Sequence, residues 1–282
     1  MLTRIITAVV SIGILIPILV FSGTWVFPVA LGILALFSVF EITGCIGTRK
    51  KIPLSIITFC YTIGIITIVT LELLIDIQNF VPLILALTFA YIFLIFMFTM
   101  LSLGNTKFLQ ASELIALTIY ILVGFLSIAM LRWHTSMGVY LYGLVFIGAW
   151  MTDTGAYFIG VLFGKHKLIP AVSPKKTVEG ALGGVLGCII GYVAYAIILQ
   201  FFFSVEVNYL VLVLLAVIIS IVSQIGDLIA SYVKRECGIK DFGFIFPGHG
   251  GVMDRFDSII AVGPAIYFIL LLLQDYGWVF HA

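Results

Sequence analysis

Between Asp76 and Lys107, and again between Glu179 and Glu206, no side chain carries a charge at neutral pH. Runs this long and this apolar leave a chain few ways to fold. The hydrocarbon core of a bilayer is about 30 Å thick, so about 20 apolar residues make one spanning helix. Nine stretches meet that requirement, at 5–21, 27–44, 53–71, 81–102, 113–131, 139–162, 178–203, 208–233 and 254–274. Hydrocarbon offers no partner to backbone N–H and C=O groups, so the spans are expected to be helices rather than isolated strands. With 63% hydrophobic and 10% charged residues, an ordinary soluble domain is excluded, because a water-facing surface needs more charge. The expected fold is all-α, a polytopic integral membrane protein forming a single membrane domain over 1–282. The first stretch is short enough to resemble the apolar region of a signal peptide. It lacks a small-x-small cleavage site and leads straight into the next span, so it is read as a retained helix.

The placement of charge predicts orientation. Arg4, Arg49, Lys50, Lys51, Lys107, Lys165, Lys167, Lys175, Lys176, Lys234, Arg235, Lys240 and Arg255 all fall in loops on the side of the N-terminus, and Arg132 alone falls on the other. Such asymmetry places the N-terminus in the cytoplasm and the C-terminus outside. The four cysteines, Cys45, Cys60, Cys188 and Cys237, include no C-x-x-C pair, so neither a disulfide framework nor a thiolate metal site is expected.

The two halves differ in character. Residues 1–138 are mostly Leu, Ile, Val and Phe and read as a helical scaffold, in which Glu41, near the cytoplasmic end of the second span, reads as an interfacial residue. Residues 139–282 collect the polar groups on the cytoplasmic side and read as the catalytic half. Asp153, Tyr157, Gly160 and Gly164 share one face of the sixth span. Glycines 180, 184, 187 and 191 form a stripe on the seventh, which predicts close helix packing. Ser220, Gln224, Asp227 and Ser231 share a face of the eighth, and an aspartate at that depth is expected to face a partner, an ion or water.

Three cytoplasm-facing segments then converge: "SPKKT" at 173–177, the end of the eighth span, and the loop 240–257. They supply Lys175, Lys176, Lys234, Arg235, Lys240 and Arg255. Topology and anionic lipid headgroups explain cations on this side. They do not explain cations alternating with hydroxyls, glycines and aspartates, which suit phosphate oxygens and a hard cation such as Mg²⁺. In "PGHGG", Gly248, Gly250 and Gly251 free the backbone to aim several N–H groups at one anion, at the start of a helix whose dipole favours negative charge. His249 lies between them, where it can donate to a phosphate. Asp254 and Asp257 share a face of that helix's first turn, and capping accounts for one of them better than for both. "GVLFGKH" is not a P-loop, since it has three residues between its glycines and no Ser or Thr after Lys165. No H-E-x-x-H, no Ser-His-Asp order and no G-x-S-x-G elbow supports hydrolytic chemistry.

The stretch "SYVKRECGIKDFGFIFPGHGGVMDRFD" at 231–257 resembles the signature of phosphatidate cytidylyltransferases (CDP-diacylglycerol synthases). Ser231, Lys234, Arg235, Lys240, Asp241, Pro247, His249, Gly250, Gly251, Asp254, Arg255 and Asp257 match it. Upstream, "DTGAY" at 153–157, "SPKKTVEG" at 173–180 and "SQIGDL" at 223–228 resemble family segments in the same order. The resemblance covers about 105 residues at these motifs, and no functional residue is carried into the N-terminal half.

The resemblance implies transfer of CMP from CTP to phosphatidate, with release of pyrophosphate, at the cytoplasmic face of a bacterial inner membrane. Asp227 and Asp254 are the expected Mg²⁺ ligands, with Asp257 near the ion and a second, monovalent ion left open. Lys175, Lys176, Arg235 and Arg255 are expected to neutralise phosphates, and the turn at His249–Gly251 to cradle one. Lys234 joins the catalytic set, while Asp153, Ser173, Thr177, Ser231, Lys240 and Asp241 are expected to contact substrate. The expected partners are CTP, phosphatidate and a second copy of the chain as a homodimer, with no nucleic acid. Two rivals fit less well. An ion-coupled transporter would place its site at the midplane between repeats. The CDP-alcohol phosphotransferases carry Asp-Gly-x-x-Ala-Arg, which is absent.

Overall fold

The computed structural model describes residues 10, 13–75, 80–135, 137–246, 248, 250–273 and 278–281. Among them, eight helices are long and apolar enough to cross a membrane: α1 (Val26–Cys45), α2 (Ile52–Ile75), α3 (Phe80–Leu101), α4 (Phe108–Trp133), α5 (Gly138–Phe163), α6 (Val178–Phe203), α7 (Tyr209–Glu236) and α8 (Met253–Leu272). Residues 13–20 are helical as well, and most of the rest of the first expected span lies outside the described residues. The chain is a multi-pass α-helical membrane protein. The helix ends follow the expected spans to within three residues except at α2, which runs on to Ile75 rather than 71, and at α4, which starts at Phe108 rather than near 113. The polar first turn stays helical because Gln110 accepts from Lys51 Nζ at 2.8 Å and donates to the Ile46 carbonyl at 3.1 Å.

The chain divides into two compact units. One holds the residues up to Leu126 together with Cys237–Arg255. In α3 the buried side chains are Tyr91, Ile95 and Thr99, a single stripe at steps of four on a helix of mean hydropathy 2.6. The other faces are apolar and exposed, as a bilayer requires and water forbids. Tyr91 stacks on Tyr61 with ring centroids 4.1 Å apart, and Tyr61 Oη shares a hydrogen bond of 3.0 Å with Thr88. Thr58, Thr62 and Thr99 give their hydroxyls to carbonyls four residues back, so these polar groups are satisfied within their own helices.

Cys45, at the end of α1, is joined to Cys237 by a disulfide, with Cα atoms 5.7 Å apart. This corrects the expectation from spacing. A local C-x-x-C search is blind to two cysteines 192 residues apart that the fold brings together. Cys60 and Cys188 are free thiols.

The second unit holds Ser127–Glu236 and the chain from Phe256 on. Its centre is the crossing of α5 and α6, and α7 packs along both. The expected glycine stripe is a packing device. A Cβ at Gly155 would overlap the Gly183 carbonyl oxygen and lie 3.1 Å from Gly187 Cα, so the two backbones touch where larger residues would hold them apart. Deeper in the crossing, Tyr192 and Tyr195 donate to the Leu144 and Tyr140 carbonyls, each at 2.9 Å. At one end of α6 a hairpin pairs β1 (Lys167–Ile169) with β2 (Ser173–Thr177). At its other end β3 (Glu206–Val207) pairs with β4 (Phe280–His281). The helical pattern announced neither strand pair.

Candidate active site

In the second unit the site begins at the hairpin. Thr177 has extended backbone and its Oγ1 accepts from Gly180 N at 3.1 Å, which caps α6. Two residues on, the Glu179 carboxylate accepts from Lys165 N at 3.0 Å, from His166 N, and from His166 Nδ1 at 2.6 Å. These bonds fasten the hairpin to the first turn of α6. Side chains alternate along a strand, so of the neighbouring lysines Lys175 stands exposed and Lys176 turns inward.

Lys176 meets α7 there. Its Nζ lies 2.8 Å from Asp227 Oδ2, with the two side chains 23% and 30% exposed. The same ammonium donates to the Gln224 carbonyl at 3.3 Å, and Ser231 Oγ donates to Asp227 Oδ1 at 3.4 Å. Gln224 is held in turn by donating to the Ala181 carbonyl at 3.1 Å. The expected polar face of α7 is linked by its own hydrogen bonds: Gln224 donates to Ser220 Oγ and to the Ala181 carbonyl of α6, and Ser231 donates to Asp227. Asp153 from α5 and Asp257 from α8 lie within electrostatic reach of Asp227 and of each other. Lys176 acts on Asp153, and Lys234 on Asp257. Three helices and a hairpin thus bring three carboxylates and two ammonium groups to one place. Ser173 is half-buried on β2, and Arg235 is exposed at the end of α7, where its charge suits the helix dipole.

In the first unit the loop 237–255 has its own order. Gly248 and Gly250 take φ of +76° and +88°, a region that other residues enter at a cost, which explains glycine at these turns. Phe246 N donates to the Gly250 carbonyl at 2.9 Å. The expected anion nest exists, but the chain fills it with its own carboxylates. Asp254 Oδ2 accepts from Phe242 N at 2.8 Å and from Gly251 N at 2.9 Å. Glu41 Oε1 accepts from Val252 N at 2.9 Å, and Oε2 from Met253 N at 2.8 Å. The N–H of Gly251 thus donates to Asp254, and those of Val252 and Met253 donate to Glu41. Lys240, Asp241 and Arg255 are exposed, and His249 and Pro247 lie outside the described residues.

Glu41 corrects the sequence reading. It is 2% exposed, so it is an internal group and not an interfacial one. The available signal was a lone carboxylate in an otherwise uncharged span, which normally marks a partner.

Among the described residues, no group of three or more His, Cys, Asp or Glu is arranged to hold a metal ion on its own. Of the two expected ligands, Asp227 is ion-paired with Lys176, and Asp254 is bonded to two backbone N–H groups.

A model of the cytidylyltransferase family matches residues 2–273. A protein of Staphylococcus epidermidis named phosphatidate cytidylyltransferase is 34% identical over 275 residues, covering 96% of this chain and 99% of the relative. Proteins of the same name from Staphylococcus haemolyticus and Staphylococcus aureus are 34% and 33% identical, each over 96% of this chain and 99% of the relative.

Proposed function

Because the chain belongs to the cytidylyltransferase family, we propose that it transfers CMP from CTP to phosphatidate, giving CDP-diacylglycerol and pyrophosphate. The observation that carries this reading is the Lys176–Asp227 ion pair with Asp153 and Asp257 around it. Cation and carboxylates side by side at a helix end suit a reaction between two polyanions. A phosphatidate oxygen attacks the α-phosphorus of CTP, a new P–O bond forms, and the bond to the bridging oxygen of the leaving pyrophosphate breaks. A phosphate monoester loses its second proton near pH 6, so the attacking oxygen is already largely ionised at neutral pH. No strong general base is required. The protein's work is alignment and charge stabilisation around an in-line displacement.

Lys175 and Lys176 on the hairpin and Lys234 and Arg235 at the end of α7 neutralise phosphate oxygens, and the family motif adds Lys240 and Arg255 as phosphate contacts. The donor set fits Mg²⁺, which takes one or two protein carboxylates and fills its shell with water and phosphate oxygens. Asp227 would hold it, with Asp257 and Asp153 beside it. Bound there, the ion offsets the repulsion between the two substrates. Thirteen of the 14 Lys and Arg on one side support a cytoplasmic N-terminus and site, in a bacterial inner membrane. The lipid tails then stay in the bilayer while the headgroup enters between helices. We carry a homodimer as the family's expectation.

The test is direct. Protein purified in mild detergent should convert phosphatidate and labelled CTP to equal amounts of CDP-diacylglycerol and pyrophosphate, in a reaction abolished by a chelator. Unconverted phosphatidate, in conditions where the Staphylococcus epidermidis relative is active, would overturn the reading.

A further inference from the structure

We infer that Glu41 is a positioning residue of the transfer reaction, fixing the first turn of α8 through both of its carboxylate oxygens. The inference rests on the proposed reaction and deepens it.

Glu41 is the one charged residue of α1, and its side chain is buried. A carboxylate withdrawn from water needs strong donors to offset its lost hydration. It finds them in the Val252 and Met253 N–H groups, one to each oxygen. Those N–H groups belong to the start of α8, where backbone donors have no partner within the helix and the dipole favours an anion. The next two residues of that turn are Asp254 and Arg255. Two glycines make room for the carboxylate. A Cβ at Gly251 would overlap Glu41 Oε1, and one at Gly243 would lie 2.5 Å from it. Cys45, four residues further along α1, binds the same loop at its other end through Cys237. One helix from the N-terminal half therefore grips the Cys237–Arg255 segment at both of its ends.

The bonding pattern is selective for a carboxylate. Glutamine offers one acceptor oxygen and an NH₂ group, which would face a backbone N–H donor to donor. Aspartate keeps two acceptor oxygens on a shorter stem. Neither variant alters a group that touches substrate. Any loss must come through the placement of the turn, and displacing reacting groups by 1 Å can cost about 100-fold in rate.

The experiment compares wild type, Glu41→Gln and Glu41→Asp as monodisperse protein in nanodiscs, assayed well below the melting midpoint. Three quantities are read: kcat, KM for CTP and for phosphatidate, and amide hydrogen exchange at residues 252–253. For Glu41→Gln we expect faster exchange at those amides and a kcat lowered roughly 10- to 100-fold, with both KM values changed much less. Glu41→Asp should fall between. A role in stability alone would raise exchange and lower the melting midpoint while leaving kcat of the folded protein at the wild-type value, and that result overturns the inference. Unchanged exchange overturns it too. Should Glu41→Gln fail to fold, Glu41→Asp decides alone: a lowered kcat with faster exchange supports the role, and a wild-type kcat rejects it. An inactive wild type would count instead against the proposed reaction.

Discussion

Lys175 and Lys176 are adjacent, carry the same charge and sit in the same motif, yet the structure separates them. Lys176 is locked between Asp227 Oδ2 at 2.8 Å and the Gln224 carbonyl at 3.3 Å, whereas Lys175 is on the exposed face of β2. Replacing Lys176 by Met keeps the length of the stem and removes the ammonium. With partners less than a third exposed, the lost charge-assisted bond is worth about 1.5–3 kcal/mol, which corresponds to roughly 10- to 150-fold in kcat/KM at 1.36 kcal/mol per decade. The sign on the ion goes the other way. Asp153, Asp227 and Asp257 then share one cation fewer, so the place becomes more negative. Lys176→Met should raise KM for CTP and lower the Mg²⁺ concentration needed for half-maximal rate. Lys175→Met should lower kcat/KM by a smaller factor and leave the Mg²⁺ requirement where it was. Both are measured as initial rates of pyrophosphate release across CTP and Mg²⁺ titrations, with thermal unfolding in detergent as the control for folding. Equal effects of the two substitutions, or a higher Mg²⁺ requirement in Lys176→Met, would refute the reasoning from the hairpin's geometry.

Asp227→Asn and Asp257→Asn should each abolish nearly all turnover with little change in melting midpoint, and the double variant should be no worse than either single one, because groups serving one ion act as a unit. An Asp227→Asn protein with unchanged rate and Mg²⁺ dependence would remove it as a ligand. Gly155→Ala should destabilise by about 1–3 kcal/mol through overpacking against Gly183, read as a lowered melting midpoint; an unchanged midpoint would show that the crossing of α5 and α6 yields. A reporter fused at Ala282 should read as periplasmic and one near Lys50 as cytoplasmic, and a cytoplasmic C-terminus would overturn the nine-span topology.

The helices were legible in the sequence because lipid leaves so little choice. The uncharged run from Asp76 to Lys107 has to become one spanning helix, and α3 fills Phe80–Leu101. The glycine stripe on α6 was legible for the same reason, since small residues at steps of three and four have few other uses in a membrane. Within the site, Asp227 could be anticipated because a carboxylate at that depth needs a partner, and Lys176 is one. What the sequence hid was the identity of partners far along the chain. The demand for an anion at the start of α8 was visible in "PGHGG". That Glu41 meets it was not, because the two lie 211 positions apart and no local period connects them. The bond between Cys45 and Cys237 was hidden in the same way. Nothing in "SPKKT" announced a strand either, nor that Glu179 of α6 would hold Lys165 and His166 just before its partner strand.

The grip of α1 on Cys237–Arg255 has a consequence for how the protein is made. Translation delivers Glu41 first and the donors of Val252 and Met253 211 and 212 residues later. At 5–20 residues per second, that is a wait on the order of 10 to 40 seconds. Throughout it α1 can already be in the bilayer with its carboxylate unmatched. The N-terminal unit cannot reach its finished form by itself, because its last segment, Cys237–Arg255, is made only after α5, α6 and α7 of the other unit. A nascent chain stalled just before residue 237 would therefore hold an unfinished first unit and expose on it a carboxylate still awaiting its donors.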